Sequence, residues 1–252
     1  MDFKEELDRK LCELEKAENI RILHCIESGS RAWGFESPDS DYDVRFIYVR
    51  PKEFYLRLDK TRDVIEWQLD DVWDINSWDL SKALRLLRKS NPTMFEWNSS
   101  PIIYRTTEEW QSLSGLVNDC FCPRSGAWHY LSMAQSNFRG FLQGEEVRLK
   151  KYFYVLRPIL ACEWIIAKGT PPPMLFSELS EAMLPKELDG IVSDLLRRKT
   201  EAPELGTGKR IDVLNEYIER QLTDIGENIG RLPDKEEIGW ERLNEVFLRM
   251  IG

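Results

Sequence analysis

Ile26-Glu27-Ser28-Gly29-Ser30-Arg31-Ala32-Trp33-Gly34-Phe35-Glu36-Ser37-Pro38-Asp39-Ser40-Asp41-Tyr42-Asp43-Val44-Arg45 joins two β-rich runs, Ile20 to Ile26 and Val44 to Val49. A Gly-Ser pair closes the first run, ten residues intervene, and Asp-x-Asp opens the second. Side chains alternate along a strand, so Asp41 and Asp43 share a face. Two carboxylates side by side repel one another unless a cation lies between them. Mg²⁺ suits the arrangement, because it takes one or two protein carboxylates and leaves other positions for water and substrate phosphate. At the other end, Gly29 permits close backbone approach, while Ser30 offers a hydroxyl and an N–H at the start of an expected helix. Such a turn accepts the phosphates of a nucleoside triphosphate. Gly-Ser or Asp-x-Asp alone would describe an ordinary turn; their order and spacing between two strands give them functional meaning.

Outward from this stretch, Phe3, Leu7, Leu11 and Leu14 recur at helical spacing and predict an amphipathic first helix over 2–18. Val64-Ile65-Glu66-Trp67 and Val72-Trp73-Asp74-Ile75, on either side of Leu69-Asp70-Asp71, predict two further strands. Leu80 to Arg88 predicts a helix that ends before Asn91-Pro92. Beyond Arg105 strand signals fade, and amphipathic stretches predict helices near 106–119, 125–143, 147–168, 177–199, 209–229 and 234–250. Breaks are expected at Gly169-Thr170-Pro171-Pro172-Pro173 and over 202–208. The expected class is α+β: an N-terminal α/β domain with a mixed sheet over 1–105, then a helical substrate- and nucleotide-binding domain over 106–252.

Composition narrows the function. The 252 residues carry a net charge of −9, shared as −4 over 1–105 and −5 over 106–252, with no basic tail. That excludes indiscriminate coating of nucleic acid, which depends on clustered Lys and Arg. The N-terminus is charged where a secretory signal would be apolar, and no stretch approaches the ~20 apolar residues of a membrane span. A soluble, cytoplasmic protein without a membrane partner is expected. Five cysteines without regular spacing (Cys12, Cys25, Cys120, Cys122, Cys162) fit reduced thiols. Cys120, Cys122 and His129 fall short of the four ligands of a closed zinc site.

The Gly29-Ser30 and Asp41-x-Asp43 pair resembles the signature of the DNA polymerase β-type nucleotidyltransferase superfamily, where a Gly-Ser turn precedes Asp-x-Asp and a later strand gives a third carboxylate. Ser40 before Asp41 and Arg31 after Ser30 are also common among its minimal members. A narrower resemblance, over about 20–165, is to the YcgL-type, RNA-ligase-associated nucleotidyltransferases. It rests on Asp74-Ile75-Asn76-Ser77-Trp78-Asp79-Leu80-Ser81-Lys82-Ala83-Leu84, Ser90-Asn91-Pro92, Glu96-Trp97, Ser100-Pro101-Ile102-Ile103-Tyr104 and Lys150-Lys151-Tyr152-Phe153-Tyr154-Val155-Leu156-Arg157-Pro158. The resemblance implies magnesium-dependent nucleotidyl transfer: an acceptor hydroxyl attacks the α-phosphorus, pyrophosphate leaves, and two Mg²⁺ (or Mn²⁺) bound by three carboxylates offset the charge. The acceptor would be an RNA end, a protein or a small molecule.

Asp70, Asp71, Asp74 and Asp79 compete for the third carboxylate. Asp74 is flanked by Trp73 and Ile75 within the expected strand, whereas Asp70 and Asp71 fall in a turn and Asp79 reads as a helix-start charge. Asp41, Asp43 and Asp74 are therefore the expected catalytic and metal residues. Gly29, Ser30, Arg31 and Ser40 are the expected nucleotide contacts on the first side. Across the cleft, 139–157 is the most basic and aromatic stretch, and Lys150, Tyr154 and Arg157 share a helical face at i, i+4 and i+7. With Lys151 they are the expected contacts for phosphates and a base; the plainer reading is a solvated helix face over core aromatics.

Two other functions fit the same residues. One is a non-catalytic nucleotide-sensing or antitoxin-like module, against which three carboxylates count. The other is metal-independent ribonuclease action through Arg124 and His129, whose Arg-x4-His spacing is weak. His24, within an apparent strand, reads as a packed core residue.

Overall fold

The computed structural model describes residues 3–69, 72–201, 206–235 and 238–252. In the N-terminal half, α1 (Phe3–Glu18) leads into β1 (Arg21–Glu27), the single turn α2 (Gly29–Ala32) and β2 (Tyr42–Val49). There follow α3 (Lys52–Tyr55), β3 (Val64–Leu69), β4 (Trp73–Asp79), α4 (Leu80–Arg88), α5 (Pro92–Asn98) and β5 (Ile103–Thr106). The remainder comprises α6 (Glu108–Gln111), α7 (Ser114–Cys120), α8 (Pro123–Phe141), β6 (Glu146–Arg148), α9 (Lys151–Lys168), α10 (Phe176–Met183), α11 (Asp189–Glu201), β7 (Thr207–Lys209), α12 (Asp212–Ile229) and α13 (Trp240–Ile251). The α+β class is as expected. No helix among the described residues is long and apolar enough to cross a membrane.

The five-stranded sheet has the order β3-β4-β2-β1-β5, with β2 and β4 parallel and the other neighbours antiparallel. Leu7, Leu11 and Leu14 of α1 pack with Ile22, Val44, Phe46, Tyr48 and Ile75 on one sheet face. On the other face Leu23, Ile26, Ile47 and Val49 meet Leu80, Ala83, Leu84 and Leu87, and join the apolar interior of the helical half. α9 is the centre of that interior, buried on nearly every side from Tyr152 to Ile165. The core therefore runs unbroken across residue 105, and β5 itself spans the expected boundary.

Several expected elements differ. The helix expected over 177–199 is divided into α10 and α11, because Pro185 follows Leu184 in extended conformation and supplies no N–H. The stretch over 106–119 forms two short helices, with Thr107 capping the first by accepting from the Trp110 N–H. α5 begins at the Asn91-Pro92 pair that stops α4: Asn91 caps it and Pro92 occupies its first turn. Val147 and Gly208 pair in a two-stranded β6–β7 sheet inside the helical half. Asp70, Asp71 and the first part of the 202–208 break lie outside the described residues.

Candidate active site

β2 and β4 run in parallel with Asp43 opposite Asp74. Alternation then puts Asp43 and Arg45 of β2 on the same sheet face as Asp74 and Asn76 of β4, while Val44, Trp73 and Ile75 face α1. A one-residue slip between these strands would turn Asp74 away from Asp43; the apolar residues facing α1 prevent it. Asp41, just before β2, is exposed. Asp79, at the end of β4 and 2% exposed, accepts from the Ser81 N–H as the cap of α4 and from the Tyr55 hydroxyl. It is thus a helix-start residue, and Asp74 is the carboxylate that the fold brings beside Asp43.

The Gly-Ser turn lies directly over Asp43. Gly29 has φ +59°, and a β-carbon there would stand 1.8 Å from Oδ2 of Asp43. The Ser28 N–H donates to the Asp43 carbonyl at 2.8 Å, and the Asp43 N–H donates to Glu27 Oε1 at 2.9 Å. Ser30 donates to the Ser40 hydroxyl at 3.2 Å, and Ser40 accepts from the Ser37 N–H at 2.9 Å. Arg31 donates to the carbonyls of Ser40 and Asp41 and lies 4.0 Å over the Tyr42 ring. Ser30, Arg31 and Ser40 thus hold the loop that carries Asp41 against the turn that carries Gly29.

Arg45 was not among the residues singled out from the sequence. Its Nη2 donates to Oδ1 of Asp43 and to Oδ2 of Asp74, each at 2.8 Å. Nη1 donates to the carbonyls of Val44 and Asp74. Burial pushes the Asp43 carboxyl up to about 6; Arg45 opposes this, while the charges of Asp41 and Asp74 add to it. Glu27, behind the turn, is raised to about 7 by burial despite bonds from Tyr104 and the Asp43 N–H. Among the described residues, no three His, Cys, Asp or Glu side chains converge closely enough to cage a metal ion unaided.

The start of α9 lies near these carboxylates. Tyr154 meets Trp33 edge-on at 5.6 Å, and its phenol is raised by burial and then by the charges of Asp43 and Asp41. Lys151 stands 4.2 Å over Phe141 and 4.5 Å over Tyr154; burial, then the charges of Lys150 and Arg148, lower its pKa. Lys150 caps this helix, half-buried. The face expected to carry Lys150, Tyr154 and Arg157 outward is corrected at Arg157. That side chain is 3% exposed, paired with Glu96 at 2.7 Å, and stacked 4.7 Å over Trp33. It lies inside because its helical neighbours Val155, Leu156, Pro158, Ile159 and Leu160 are all buried. Arg157 thus supports Trp33 from within.

Lys199 of α11 is a further cation, missed in the sequence. It is 7% exposed, 5.3 Å over Phe35, and its pKa is lowered by burial and then by Lys150. Its place in an Arg-Arg-Lys run gives no local sign of this packing.

The remaining candidates lie elsewhere. Arg124 bonds the Leu232 carbonyl and pairs with Asp234, while His129 is exposed on α8. His24 is buried against Trp110, and burial lowers it to about 4.

Residues 3–249 match the RNA repair pathway DNA polymerase beta family. The chain is 44% identical over 253 residues to the protein called Uncharacterized protein YcgL in Bacillus subtilis (strain 168), covering 99% of this chain and 96% of that protein. A crystal structure of a nucleotidyltransferase-like protein from Exiguobacterium sibiricum 255-15 aligns at 13% identity and a TM-score of 0.27, covering 83% of this chain and 69% of the other.

Proposed function

Because the chain belongs to the RNA repair pathway DNA polymerase beta family, we propose that it moves a nucleoside monophosphate from a nucleoside triphosphate to the hydroxyl of an RNA end, assisted by Mg²⁺. The observation that supports this most is the placing of Gly29 against Asp43. The turn comes so close that no side chain fits between them, which leaves bare backbone beside a carboxylate at the point where phosphate and cation must meet. The donor set also fits magnesium. Asp41 and Asp43 are oxygen donors that do not form a closed cage, and Mg²⁺ binds through one or two carboxylates together with substrate phosphates.

Asp41 and Asp43 would hold the ion that enters with the triphosphate. When bound, it would draw charge from the phosphate oxygens. Gly29 and the Ser30 N–H side of the turn receive the phosphates. Lys150 and Lys151 supply positive charge from α9, and Tyr154 offers a ring for the base. Asp74 accepts the proton of the attacking hydroxyl. As the new oxygen–phosphorus bond forms at the α-phosphorus, the bond to the bridging oxygen breaks and pyrophosphate departs.

Each of the four nucleoside triphosphates, labelled at the α-phosphate, is incubated with Mg²⁺ and the protein, alone and with total RNA. Label entering RNA, and lost in Asp43→Asn, is the expected result. Label entering protein or a small molecule would replace the RNA acceptor. Calorimetric binding of a triphosphate without transfer to any acceptor would replace the reaction itself with a nucleotide-sensing or antitoxin-like role.

A further inference from the structure

A bridging cation is already built into this site. Nη2 of Arg45 lies 2.8 Å from one oxygen of Asp43 and 2.8 Å from one oxygen of Asp74. A divalent ion shared by these two carboxylates would compete with the guanidinium for their oxygens, since Arg45 bonds one oxygen of Asp43 and both of Asp74. The guanidinium is held there by more than the carboxylates. Nη1 donates to the carbonyls of Val44 and Asp74, and the Arg45 side chain is only 16% exposed. Evicting it would leave a half-buried guanidinium without its partners, a costly exchange.

Resting on the transfer reading above, we propose that this chain works with one divalent ion, at Asp41 and Asp43, and that the Arg45 guanidinium takes the place of a second. Three carboxylates and one guanidinium leave two negative charges, which one divalent ion neutralises. Asp74, held by Arg45, is then a proton acceptor and not a metal ligand. The pair arises from strand geometry: Arg45 follows Asp43 by two residues on β2, so both face the same side, and the parallel register brings Asp74 beside them. Arg is the side chain suited to this place, because its planar fork meets two carboxylates at once where a lysine ammonium is a single point.

Mn²⁺ serves as the probe, counted by equilibrium dialysis and electron paramagnetic resonance with whichever α,β-methylene triphosphate analogue the protein binds. The wild-type protein with its bound analogue is expected to hold one Mn²⁺ in all, that on unbound nucleotide being subtracted, without the dipolar signal of two adjacent ions. Asp74→Asn should leave that count at one and the Mn²⁺ affinity within about twofold. Asp41→Asn or Asp43→Asn should weaken affinity at least tenfold, about 1.4 kcal/mol. Arg45→Gln should admit a second, coupled Mn²⁺, and Arg45→Lys should not. A coupled pair in the wild-type protein would overturn this inference while leaving nucleotidyl transfer intact. So would loss of Mn²⁺ in Asp74→Asn, or an unchanged count in a folded Arg45→Gln. Should Arg45→Gln fail to fold, the wild-type and Asp74→Asn counts still decide. Absence of any Mn²⁺ or nucleotide binding would overturn the transfer reading, and this inference with it.

Discussion

Gly29 is the residue at which backbone conformation and chemistry meet. Its positive φ disfavours any side chain by roughly 1–2 kcal/mol, and a β-carbon would collide with the Asp43 carboxylate. Gly29→Ala should therefore lower transfer at least 100-fold, while circular dichroism shows the fold intact and the melting temperature falls by a few degrees. Near-normal activity in that variant would mean that the turn is not part of the site. The sequence displays this region well because its signals are local: a Gly-Ser turn, an alternating pair of acids, and a third acid between two apolar strand residues. Arg45 continues the alternation Asp41, Asp43, Arg45, so its direction is visible in the sequence. Its bond to Asp74 is not, because that depends on which strand lies alongside β2.

At the level of elements, α9 separates two kinds of cation. Lys151 is partly exposed over Tyr154, and Lys151→Ala should raise KM for the triphosphate by roughly 3–10-fold and reduce its salt dependence without changing the melting temperature. Arg157→Ala should instead leave the partly buried Glu96 with the Tyr130 hydroxyl but without its ionic partner, costing about 3 kcal/mol and lowering the melting temperature by roughly 10 °C. The apolar run around Arg157 held the warning, since a helix apolar on all sides is a buried one. On the far side of α9, Glu163 accepts from the Tyr217 hydroxyl of α12, and burial raises it to about 7. A carboxyl raised above its unfolded value favours folding below about pH 4.5, and that contribution is lost as pH rises through 7. Glu163→Gln keeps a hydrogen-bond acceptor and removes the charge. In urea titrations it should exceed the wild-type protein by about 1–2 kcal/mol at pH 8, the difference closing toward pH 5. A difference independent of pH would place its origin in packing.

For the whole molecule, the continuous core predicts shared stability. A chain ending at residue 105 would expose the sheet face on which Leu23, Ile26, Ile47 and Val49 meet the helical half. It should give neither a cooperative melt nor dispersed amide resonances, whereas residues 1–252 should unfold in one transition. A folded 1–105 fragment would instead establish two independent units. The alternation of strand-rich and helix-rich sequence displays where the secondary structure changes. It does not display where the core ends, because burial between distant segments leaves no period. β5 shows the same limit: only four residues long, it is defined by its pairing with β1 and not by its own pattern.

α13 returns to the first half of the protein. Its Phe247 ring meets Tyr55 edge-on, Arg88 stacks over Trp240, and Arg21 donates to the Met250 carbonyl. On a ribosome, the segment bearing Asp41, Asp43 and Asp74 emerges long before residues 240–251 exist to cover its neighbours. Vectorial synthesis at about 5–20 residues per second leaves that interval at several seconds or more. The nascent sheet spends it with apolar surface bare, within reach of chaperones, and this half can close only once the distant segment that covers its neighbours has emerged.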